Sequence, residues 1–514
     1  MPIPNSSASG GQSSSTYSAW ESRIGILSVI AIVAAIALLH LATNSRYGFH
    51  RDELQFLTDA RHLHWGFVAY PPMTPFLERL LLSVFGLSLM GLRLFSVLAQ
   101  CIIIVITGLM ARDLGGRTMA QAAAALSIAL SAIFLFEGTE FQYTSFDQLW
   151  WVLAAWCVVR LLTSEDPRWW QAIGAVFGLG MMTKYNIAFF IAGVLGAMVF
   201  TQARRYFLSK WFWAGVALGL ALFLPNLLWQ VRHNFITYQF LKTIHHRDVL
   251  IGRANGFLKE QFLTCLNPVA SILWLIGLVS AMRTPRFRML AWMFLIPLLL
   301  FILKEGRSYY LAAAYPMLVA LGAVAAERWL DTRPPVLRIG IAGAYLNAVL
   351  IVGIGICSFL IPIATNGPLY AFALANNANL REELGWSIML QTLMNVRDSL
   401  PPDRQASLAI LTGNYGEQGA VEILGSAYHL PPALSGTNTA WLRGYPQPPP
   451  STLIVVGLRP DFLDRELDSC RTAARIPYPV SQNNEESTQF NDIYVCGSPK
   501  QPWPRFWRDI QNFR

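Results

Sequence analysis

Charged side chains are scarce in this chain. Asp, Glu, Lys and Arg make up 13% of the 514 residues, whereas hydrophobic residues make up 54%. A soluble domain carries about 25% charged residues, so the polar surface here is too small to cover several water-exposed domains. The same composition excludes a disordered chain, a collagen and a coiled coil. The shortage of charge therefore indicates a membrane protein.

The basic residues form no patch, and the cysteines form no metal-site pattern. The net charge of +9 comes from 39 Lys and Arg against 30 Asp and Glu, scattered between apolar runs. A nucleic-acid-binding surface needs clustered cations, so no nucleic-acid partner is expected. The six cysteines lack the Cys-x-x-Cys spacing of a zinc site. Neither the charge nor the cysteines therefore indicate a nucleic-acid-binding protein or a zinc protein in place of a membrane protein.

Long apolar runs recur along the first two thirds of the chain. A bilayer core of ~30 Å needs about 20 apolar residues in a helix, and runs near this length predict about eleven membrane spans. The runs lie at 24–42, 90–110, 118–136, 147–163, 170–183, 185–201, 211–229, 268–282, 288–303, 309–326 and 338–362. The predicted fold is therefore an all-α polytopic bundle.

Basic residues in the short connections predict the orientation. Arg and Lys concentrate in one alternating set of connections, and cytoplasmic loops carry such an excess. The N-terminus is then cytoplasmic, and an odd number of spans leaves the C-terminus outside. Two long loops, 43–89 and 230–267, fall on the outer side. The first loop predicts a helix capped by Asp52 that runs from Glu53 to about His64, and a second capped by Thr74 that runs from Pro75 to about Phe85.

Composition divides the chain into three parts. Residues 1–20 are rich in Ser, Gly and Asn and predict a disordered cytoplasmic tail. Residues 21–365 hold the membrane spans. Residues 366–514 are more polar, and their strand-like and helix-like segments predict a small α/β domain on the outer side. Cys470 and Cys496 both fall there, where an oxidising compartment would allow them to pair.

Charges at the outer ends of apolar spans are candidate functional residues, because charge is costly in such places. The densest group is His50-Arg51-Asp52-Glu53, just after the first run. As an alternative, Asp52 is only a helix N-cap, with Gln55 completing an Asp-x-x-Gln capping pattern.

Three further candidates lie at the outer ends of later spans. Asp147 lies at the mouth of the fourth span, where a helix cap is the alternative interpretation. Lys184 and Tyr185 lie at an outer junction of two spans, where a lysine can also snorkel. The connection before the tenth span is predicted to be on the outer side, where basic residues are otherwise rare. It nevertheless contains two cations and two tyrosines, namely Lys304, Arg307, Tyr309 and Tyr310.

Two other segments are weaker candidates. The loop 230–267 contains His245, His246 and Arg247. Adjacent side chains diverge on a helix or strand, so a polar loop or a substrate contact is favoured over metal ligation. The segment Gly413-Asn-Tyr-Gly-Glu-Gln-Gly419 matches neither a dinucleotide nor a Walker fingerprint, and a plain strand-to-helix turn is favoured.

Together these groups predict acids and cations at one membrane face, above apolar helices. A lipid-linked anionic substrate suits this place, with its tail among the helices and its phosphate against Lys and Arg. A carboxylate there can act as general base on an acceptor hydroxyl, and the cations can stabilise charge on a departing phosphate.

Several short motifs, in this order, resemble bacterial glycosyltransferase family 39. They are Tyr47-Gly-Phe-His-Arg-Asp-Glu-Leu, Tyr70-Pro-Pro-Met-Thr-Pro, Phe146-Asp147, Gly178-Leu-Gly-Met-Met-Thr-Lys184-Tyr185, and Tyr309-Tyr310-Leu followed by Tyr315-Pro. That family includes protein O-mannosyltransferases, the lipid A aminoarabinose transferase and rhizobial galacturonosyltransferases, and it shares the GT-C membrane fold. The resemblance covers roughly residues 20–330.

The resemblance implies transfer of a hexosyl or pentosyl group from a polyprenyl-phosphate donor at the bacterial inner membrane. The acceptor would be a lipid, a glycan or a protein on the periplasmic face. Asp52, with Glu53 beside it, would be the catalytic base, and Asp147 the acidic residue of the second outer loop. The implied donor-phosphate and cleft residues are Lys184, Tyr185, Lys304, Arg307, Tyr309 and Tyr310. Further candidate substrate contacts are His50, Tyr70, His245, His246 and Arg247.

The resemblance leaves three alternatives open. Tyr70 stands where aminoarabinose transferases have a lysine, so the donor sugar is not assigned. No cofactor and no metal ligand is assigned, and a divalent cation stays an alternative. A transporter or flippase of lipid-linked sugars also has many spans and intramembrane charges, but its charges usually lie near the midplane of matched repeats.

The simplest scheme for the enzyme is a single displacement with inversion, without a covalent intermediate.

Overall fold

The computed structural model describes residues 10–479 and 484–514 of the protein. Of the segment predicted as a tail, residues 1–9 lie outside the described residues, and the first helix already begins at Gly10. The helices up to residue 360 are α1 (Gly10–Thr43), α2 (Arg51–Arg61), α3 (Met73–Phe85), α4 (Leu89–Asp113), α5 (Thr118–Ala129), α6 (Ala132–Phe136), α7 (Tyr143–Ser164), α8 (Trp169–Met181), α9 (Ile187–Val199), α10 (Lys210–Arg232), α11 (Ile236–Leu250), α12 (Phe257–Leu263), α13 (Ser271–Arg283), α14 (Arg288–Leu303), α15 (Tyr315–Asp331) and α16 (Pro335–Leu360). Two 3-10 helices occupy Gln202–Leu208 and Ser308–Ala314.

The helical bundle makes the protein a multi-pass membrane protein. Within the described residues, six helices are long and apolar enough to cross a bilayer, or up to eight if each of two bent helix pairs forms one span. The bent pairs are α9 with Gln202–Leu208, at 104°, and α13 with α14, at 120°. Helices α8, α9 and α13 have 13 residues each, which is about 20 Å of helix. The count of about eleven spans therefore stays a prediction.

Small residues allow the apolar helices to pack closely. Where α13 crosses α15, a Cβ atom added to Gly277 would lie 1.9 Å from the carbonyl oxygen of Leu318. A Cβ atom added to Gly322 would lie 1.8 Å from the carbonyl oxygen of Leu273. Only glycine fits at such a backbone-to-backbone contact, which is the usual way in which apolar helices associate in a membrane.

The helices of the first outer loop begin at other residues than the sequence predicted. His50 is the N-cap of α2, because its side chain accepts a hydrogen bond from the Asp52 N–H and the Glu53 carboxylate accepts one from the His50 N–H. The alternative of Asp52 as N-cap is therefore wrong. The prediction for the second helix is also wrong, because α3 begins at Met73, and Thr74 and Pro75 lie inside its first turn.

The C-terminal part forms a small domain around one mixed sheet. Its helices are α17 (Gly367–Asn376), α18 (Ala378–Arg381), α19 (Trp386–Asp398), α20 (Pro402–Gln405), α21 (Tyr415–Leu424), α22 (Asn438–Leu442), α23 (Pro460–Glu466), α24 (Glu485–Gln489) and α25 (Trp503–Asp509), with a 3-10 helix at Gly425–Tyr428. Its strands are β1 (Leu408–Thr412), β2 (Ala433–Ser435), β3 (Thr452–Val456), β4 (Arg471–Arg475) and β5 (Asp492–Cys496), in the order β2-β1-β3-β5-β4.

The sheet places one helix of this domain against the first outer loop. β1 pairs in parallel with β2 and β3, whereas β5 pairs antiparallel with β3 and β4. A disulfide bond joins Cys470 to Cys496 at the end of β5. The chain leaves β1 and enters α21, which packs on α2, and the Trp386 indole N–H donates to the Phe49 carbonyl at 2.9 Å. The predicted α/β domain is confirmed, and it contacts the segment that carries Asp52.

Candidate active site

Asp52 lies in the first turn of α2 and is held by two side chains from distant parts of the chain. Its Oδ1 accepts a hydrogen bond from the Tyr415 hydroxyl at 2.8 Å, and its Oδ2 accepts one from the Gln142 amide at 2.8 Å. The Asp52 side chain keeps 28% of its surface accessible. A reactant can therefore reach a carboxylate whose orientation is already set.

The surroundings of Asp52 favour its ionised form. Burial raises the pKa of the carboxyl, but His50, the charge of Arg51 and the hydrogen bonds from Tyr415 and Gln142 together lower it more, and the net pKa lies below the usual value. The carboxylate is thus an ionised proton acceptor at neutral pH.

Glu53, the neighbour of Asp52, is engaged in a buried ion pair. Its two oxygens accept from Arg93 of α4 at 2.8 Å each, and Oε1 also accepts from the Phe141 backbone N–H at 2.8 Å. Arg93 further contacts Glu383 of the C-terminal domain at 3.2 Å. These bonds join four parts of the chain next to Asp52. Glu53 therefore holds the segment that carries Asp52 in place.

The short second outer loop brings a second carboxyl group close to Asp52. The Oε2 atom of Glu140 lies 3.1 Å from the Nδ1 atom of His50. Burial raises the pKa of Glu140 well above its usual value, and burial lowers the pKa of His50. Both shifts favour neutral forms, so this pair adds little charge beside the ionised Asp52.

Asp147 lies in the second turn of α7, close in sequence to the Gln142 that donates to Asp52, but Asp147 does not bond to Asp52. The N-cap of α7 is Gln142, so the alternative of Asp147 as a helix cap is wrong. Asp147 is buried, and its oxygens accept from the Asn186 amide at 3.0 Å and the Trp151 indole at 3.2 Å. The start of α7 thus connects the two acidic residues, because Gln142 contacts Asp52 and the helix itself carries Asp147.

Lys184 is enclosed by aromatic rings at the outer end of the bundle. Its Nζ atom lies 4.5 Å from the ring centre of Tyr143, 4.7 Å from that of Tyr310 and 5.5 Å from that of Tyr309. Within the described part of the chain, this buried ammonium has no hydrogen-bond partner. Because ring faces attract a cation but offer no hydrogen-bond acceptor atom, an acceptor from a bound molecule is expected to complete the enclosure.

Arg307 adds a second cation beside the same tyrosines. It forms an ion pair with Asp248 at 2.6 Å and donates to the Tyr309 hydroxyl at 3.2 Å. Arg247 contacts Asp248 at 3.4 Å and belongs to this edge of the site.

The remaining predicted residues lie at different places. Tyr70 donates to Asp59 and packs against Tyr143 at 5.9 Å between ring centres. Tyr185 donates to Asn226 at 2.6 Å and so joins α10 rather than the Lys184 enclosure. Three predicted contacts are exposed, namely His245, His246 and Lys304. The described residues contain no group of three or more His, Cys, Asp or Glu side chains arranged for a metal ion.

Four site residues were missed in the sequence. Tyr143 and Gln142 lie in a polar stretch without a distinctive pattern, and Tyr415 lies in the segment interpreted as a plain turn. Arg93 did carry a signal, because an arginine inside the apolar run 90–110 is costly unless it is paired.

The chain is similar to known membrane sugar transferases in sequence and in structure. The family model for dolichyl-phosphate-mannose-protein mannosyltransferases matches residues 69–229. The structure aligns with that of ArnT from Cupriavidus metallidurans in the apo state with a TM-score of 0.57, at 15% identity, over 91% of this chain and 97% of that one. The chain therefore resembles glycosyltransferase family 39 in sequence and has the GT-C fold. The motif resemblance and the fold prediction are thereby confirmed.

Two curated relatives of the chain extend the comparison. It is 24% identical over 316 residues to undecaprenyl phosphate-alpha-4-amino-4-deoxy-L-arabinose arabinosyl transferase 1 of Pseudomonas fluorescens, covering 57% of this chain and 54% of that relative. It is 24% identical over 354 residues to lipid A galacturonosyltransferase RgtD of Rhizobium johnstonii, covering 66% and 70%. The chain thus spans about half the length of the first relative.

A second solved structure of the same transferase aligns equally well. ArnT from Cupriavidus metallidurans bound to undecaprenyl phosphate gives a TM-score of 0.56 at 16% identity, over 91% of this chain and 97% of that one. At this identity the match shows a shared fold.

Proposed function

We propose that this protein is a glycosyltransferase that uses a polyprenyl-phosphate-linked sugar, with Asp52 as general base. The observation that carries the proposal is an accessible, ionised carboxylate held by two hydrogen-bond donors at the outer end of an apolar bundle. Transfer of an acceptor proton to such a group is the task of a general base.

The reaction proposed is one displacement at the anomeric carbon. Asp52 takes the proton of an acceptor hydroxyl, and the acceptor oxygen forms a bond to the anomeric carbon. The bond from that carbon to the phosphate oxygen breaks, and polyprenyl phosphate leaves with the electron pair. Attack opposite to the leaving group inverts the configuration.

Lys184 and Arg307 are proposed to hold the departing phosphate. The buried Lys184 ammonium has no hydrogen-bond partner among the described residues, so a phosphate oxygen can supply the acceptor that it lacks. A phosphate oxygen bonded to an ammonium makes a strong charge-assisted hydrogen bond. Tyr143, which faces Lys184, directly follows Gln142, which holds Asp52. This connection supports a shared site for donor and base.

The relatives support the class of donor. One relative is named for an undecaprenyl-phosphate-linked arabinose, and ArnT was solved with undecaprenyl phosphate. The relative named for lipid A supports an envelope acceptor, which here is proposed as a lipid, a glycan or a protein.

The reaction is proposed to occur on the periplasmic face of the bacterial inner membrane. The disulfide between Cys470 and Cys496 supports an oxidising compartment for the C-terminal domain. Tyr415 of that domain bonds to Asp52, so the domain and the base lie on one side of the membrane. The N-terminus is then cytoplasmic if the number of spans is odd.

The test is transfer by purified protein from labelled undecaprenyl-phosphate pentoses and hexoses to bacterial envelope lipids and glycans. The wild-type protein is expected to release undecaprenyl phosphate only when acceptor is present, and Asp52→Asn is expected to lose more than about 1,000-fold in rate. The matched control is Asp464→Asn, which removes an exposed carboxylate of the C-terminal domain. Full activity of Asp52→Asn would remove Asp52 from the role of base. Movement of the labelled lipid across liposomes without release of undecaprenyl phosphate would identify a flippase instead.

A further inference from the structure

Tyr415 reaches Asp52 from a segment 363 residues further along the chain. It is the first residue of α21, directly after the turn Gly413–Asn414. The Asn414 side chain accepts from the Glu417 N–H at 2.9 Å, and the Glu417 carboxylate accepts from the N–H groups of Gly413 and Asn414 at 3.0 and 3.3 Å. This reciprocal capping fixes where the helix starts and hence where Tyr415 emerges.

Two glycines allow α21 to lie directly on α2. A Cβ atom added to Gly416 would lie 2.9 Å from the Cβ atom of Arg51, and one added to Gly419 would lie 2.8 Å from the backbone carbonyl carbon of Leu54. Larger residues at these positions would separate the helices. The glycine-rich segment thus serves close packing, and this packing brings the Tyr415 hydroxyl to the carboxylate.

The guanidinium of Arg51 lies over the ring of Tyr415. Its guanidinium carbon lies 4.7 Å from the ring centre. The same guanidinium forms an ion pair with Glu485 and lies 3.7 Å from Glu382 and 4.0 Å from Glu486. All three carboxylates belong to the C-terminal domain. A cation that is paired with one domain and stacked on its tyrosine limits the positions of that ring.

We propose that Tyr415 is a positioning residue for the Asp52 carboxylate, so that the C-terminal domain forms part of the catalytic apparatus. The proposal rests on the proposed function. Tyr415 occupies one lone pair of Oδ1 and Gln142 one of Oδ2, and each oxygen retains a second lone pair for the acceptor proton. With both oxygens held, the carboxylate cannot rotate away from the acceptor.

The groups around Asp52 come from four elements. Its own helix and cap contribute His50, Arg51 and Glu53. The loop 137–142 contributes Glu140 and Gln142, the start of α7 contributes Tyr143, and α21 contributes Tyr415. Of these, Tyr415 and Gln142 donate side-chain hydrogen bonds to the carboxylate oxygens. Removal of the Tyr415 hydroxyl therefore leaves every formal charge near Asp52 in place and deletes one bond to the ionised form.

The test is the pH dependence of transfer by full-length Tyr415→Phe in detergent, with labelled undecaprenyl-phosphate sugar. We expect kcat to fall about tenfold, because one hydrogen bond to a charged group is lost, and KM for the donor to stay within about twofold. The acid limb of kcat/KM should move to higher pH, because the ionised form of Asp52 loses a hydrogen bond. The matched control, Tyr445→Phe, removes a hydroxyl elsewhere in the same domain and should keep the wild-type profile. A lower kcat with an unmoved acid limb would overturn the proposal, because a merely structural role predicts that result.

A second measurement does not depend on turnover. Thermal unfolding of Tyr415→Phe, Asp52→Ala and the double variant forms a double-mutant cycle. We expect the two effects to be non-additive, because the residues are in direct contact. Additive effects would overturn the contact on which the inference rests. If the wild-type protein transfers no sugar but the cycle shows coupling, the proposed function fails while Tyr415 still positions Asp52.

Discussion

Arg93 and Glu53 form a bidentate ion pair that is shielded from solvent, with both bonds at 2.8 Å. Arg93 lies in α4, and Glu53 is the residue after Asp52. The pair therefore ties the first outer loop to the bundle at the point where the proposed base lies. A buried charge that loses its partner is strongly unfavourable, and this leads to the first prediction.

Arg93→Leu is expected to lower the free energy of unfolding by about 3–5 kcal/mol, because Glu53 is left as a buried unpaired charge. Thermal unfolding in detergent measures the effect. Arg459→Ala is the control, because it breaks an ion pair with Asp461 in which both side chains are mostly exposed. The control should change stability by less than about 1 kcal/mol. Equal effects of the two variants would contradict a special role for the buried pair.

Glu78 of α3 is expected to make stability depend on pH. Both of its carboxyl oxygens are buried without a partner among the described residues, and burial raises its pKa well above the usual value. A raised pKa in the folded state means that stability is complete below the unfolded pKa of about 4.3 and is lost as pH rises. Glu78→Gln should therefore reduce the dependence of the melting temperature on pH above pH ~4.3. At pH ~8 the variant should melt at a higher temperature than the wild-type protein. Glu165→Gln, which changes a mostly exposed carboxylate, should leave the wild-type pH dependence. An unchanged profile for Glu78→Gln would show that this group is ionised or solvated.

Lys184→Met is expected to weaken binding of undecaprenyl phosphate at least about tenfold, because one charge-assisted hydrogen bond to phosphate is lost. Quenching of tryptophan fluorescence by added undecaprenyl phosphate measures the dissociation constant. Lys500→Met, in the C-terminal domain, is the control and should bind like wild type. Unchanged affinity of Lys184→Met would place the phosphate elsewhere.

Gly419→Ala is expected to separate α21 from α2. The added Cβ atom meets the backbone of Leu54, so the helices must shift, at a cost of about 1–3 kcal/mol. Transfer activity should fall as well, because Tyr415 then moves away from Asp52. Gly340→Ala is the control, since a Cβ atom at this helical position meets nothing within 4 Å. The control should keep activity and stabilise the protein by up to about 1 kcal/mol. A Gly419→Ala protein with full activity would contradict the role of close packing.

The sequence predicted the positions of the membrane helices more accurately than it predicted which side chains contact one another. The apolar runs at 90–110 and 211–229 correspond to α4 and α10, because a membrane helix is specified by a local run of side chains. The cap of α2 was predicted at Asp52, but the His50 side chain caps the helix, and the Asp52 carboxylate accepts from the distant Gln142 and Tyr415 instead. Lys184 and Tyr185 are adjacent in sequence, yet they face different neighbours.

The sequence alone determined the class of this protein, since apolar length, alternating basic loops and the order of short motifs are properties of local segments. Tertiary structure decided which acid is accessible and which is paired. Glu53 and Asp52 are neighbours in the same helix turn, but Arg93 neutralises the first and Tyr415 orients the second. The partner of each carboxylate depends on how distant helices pack, and that packing is a property of the whole fold.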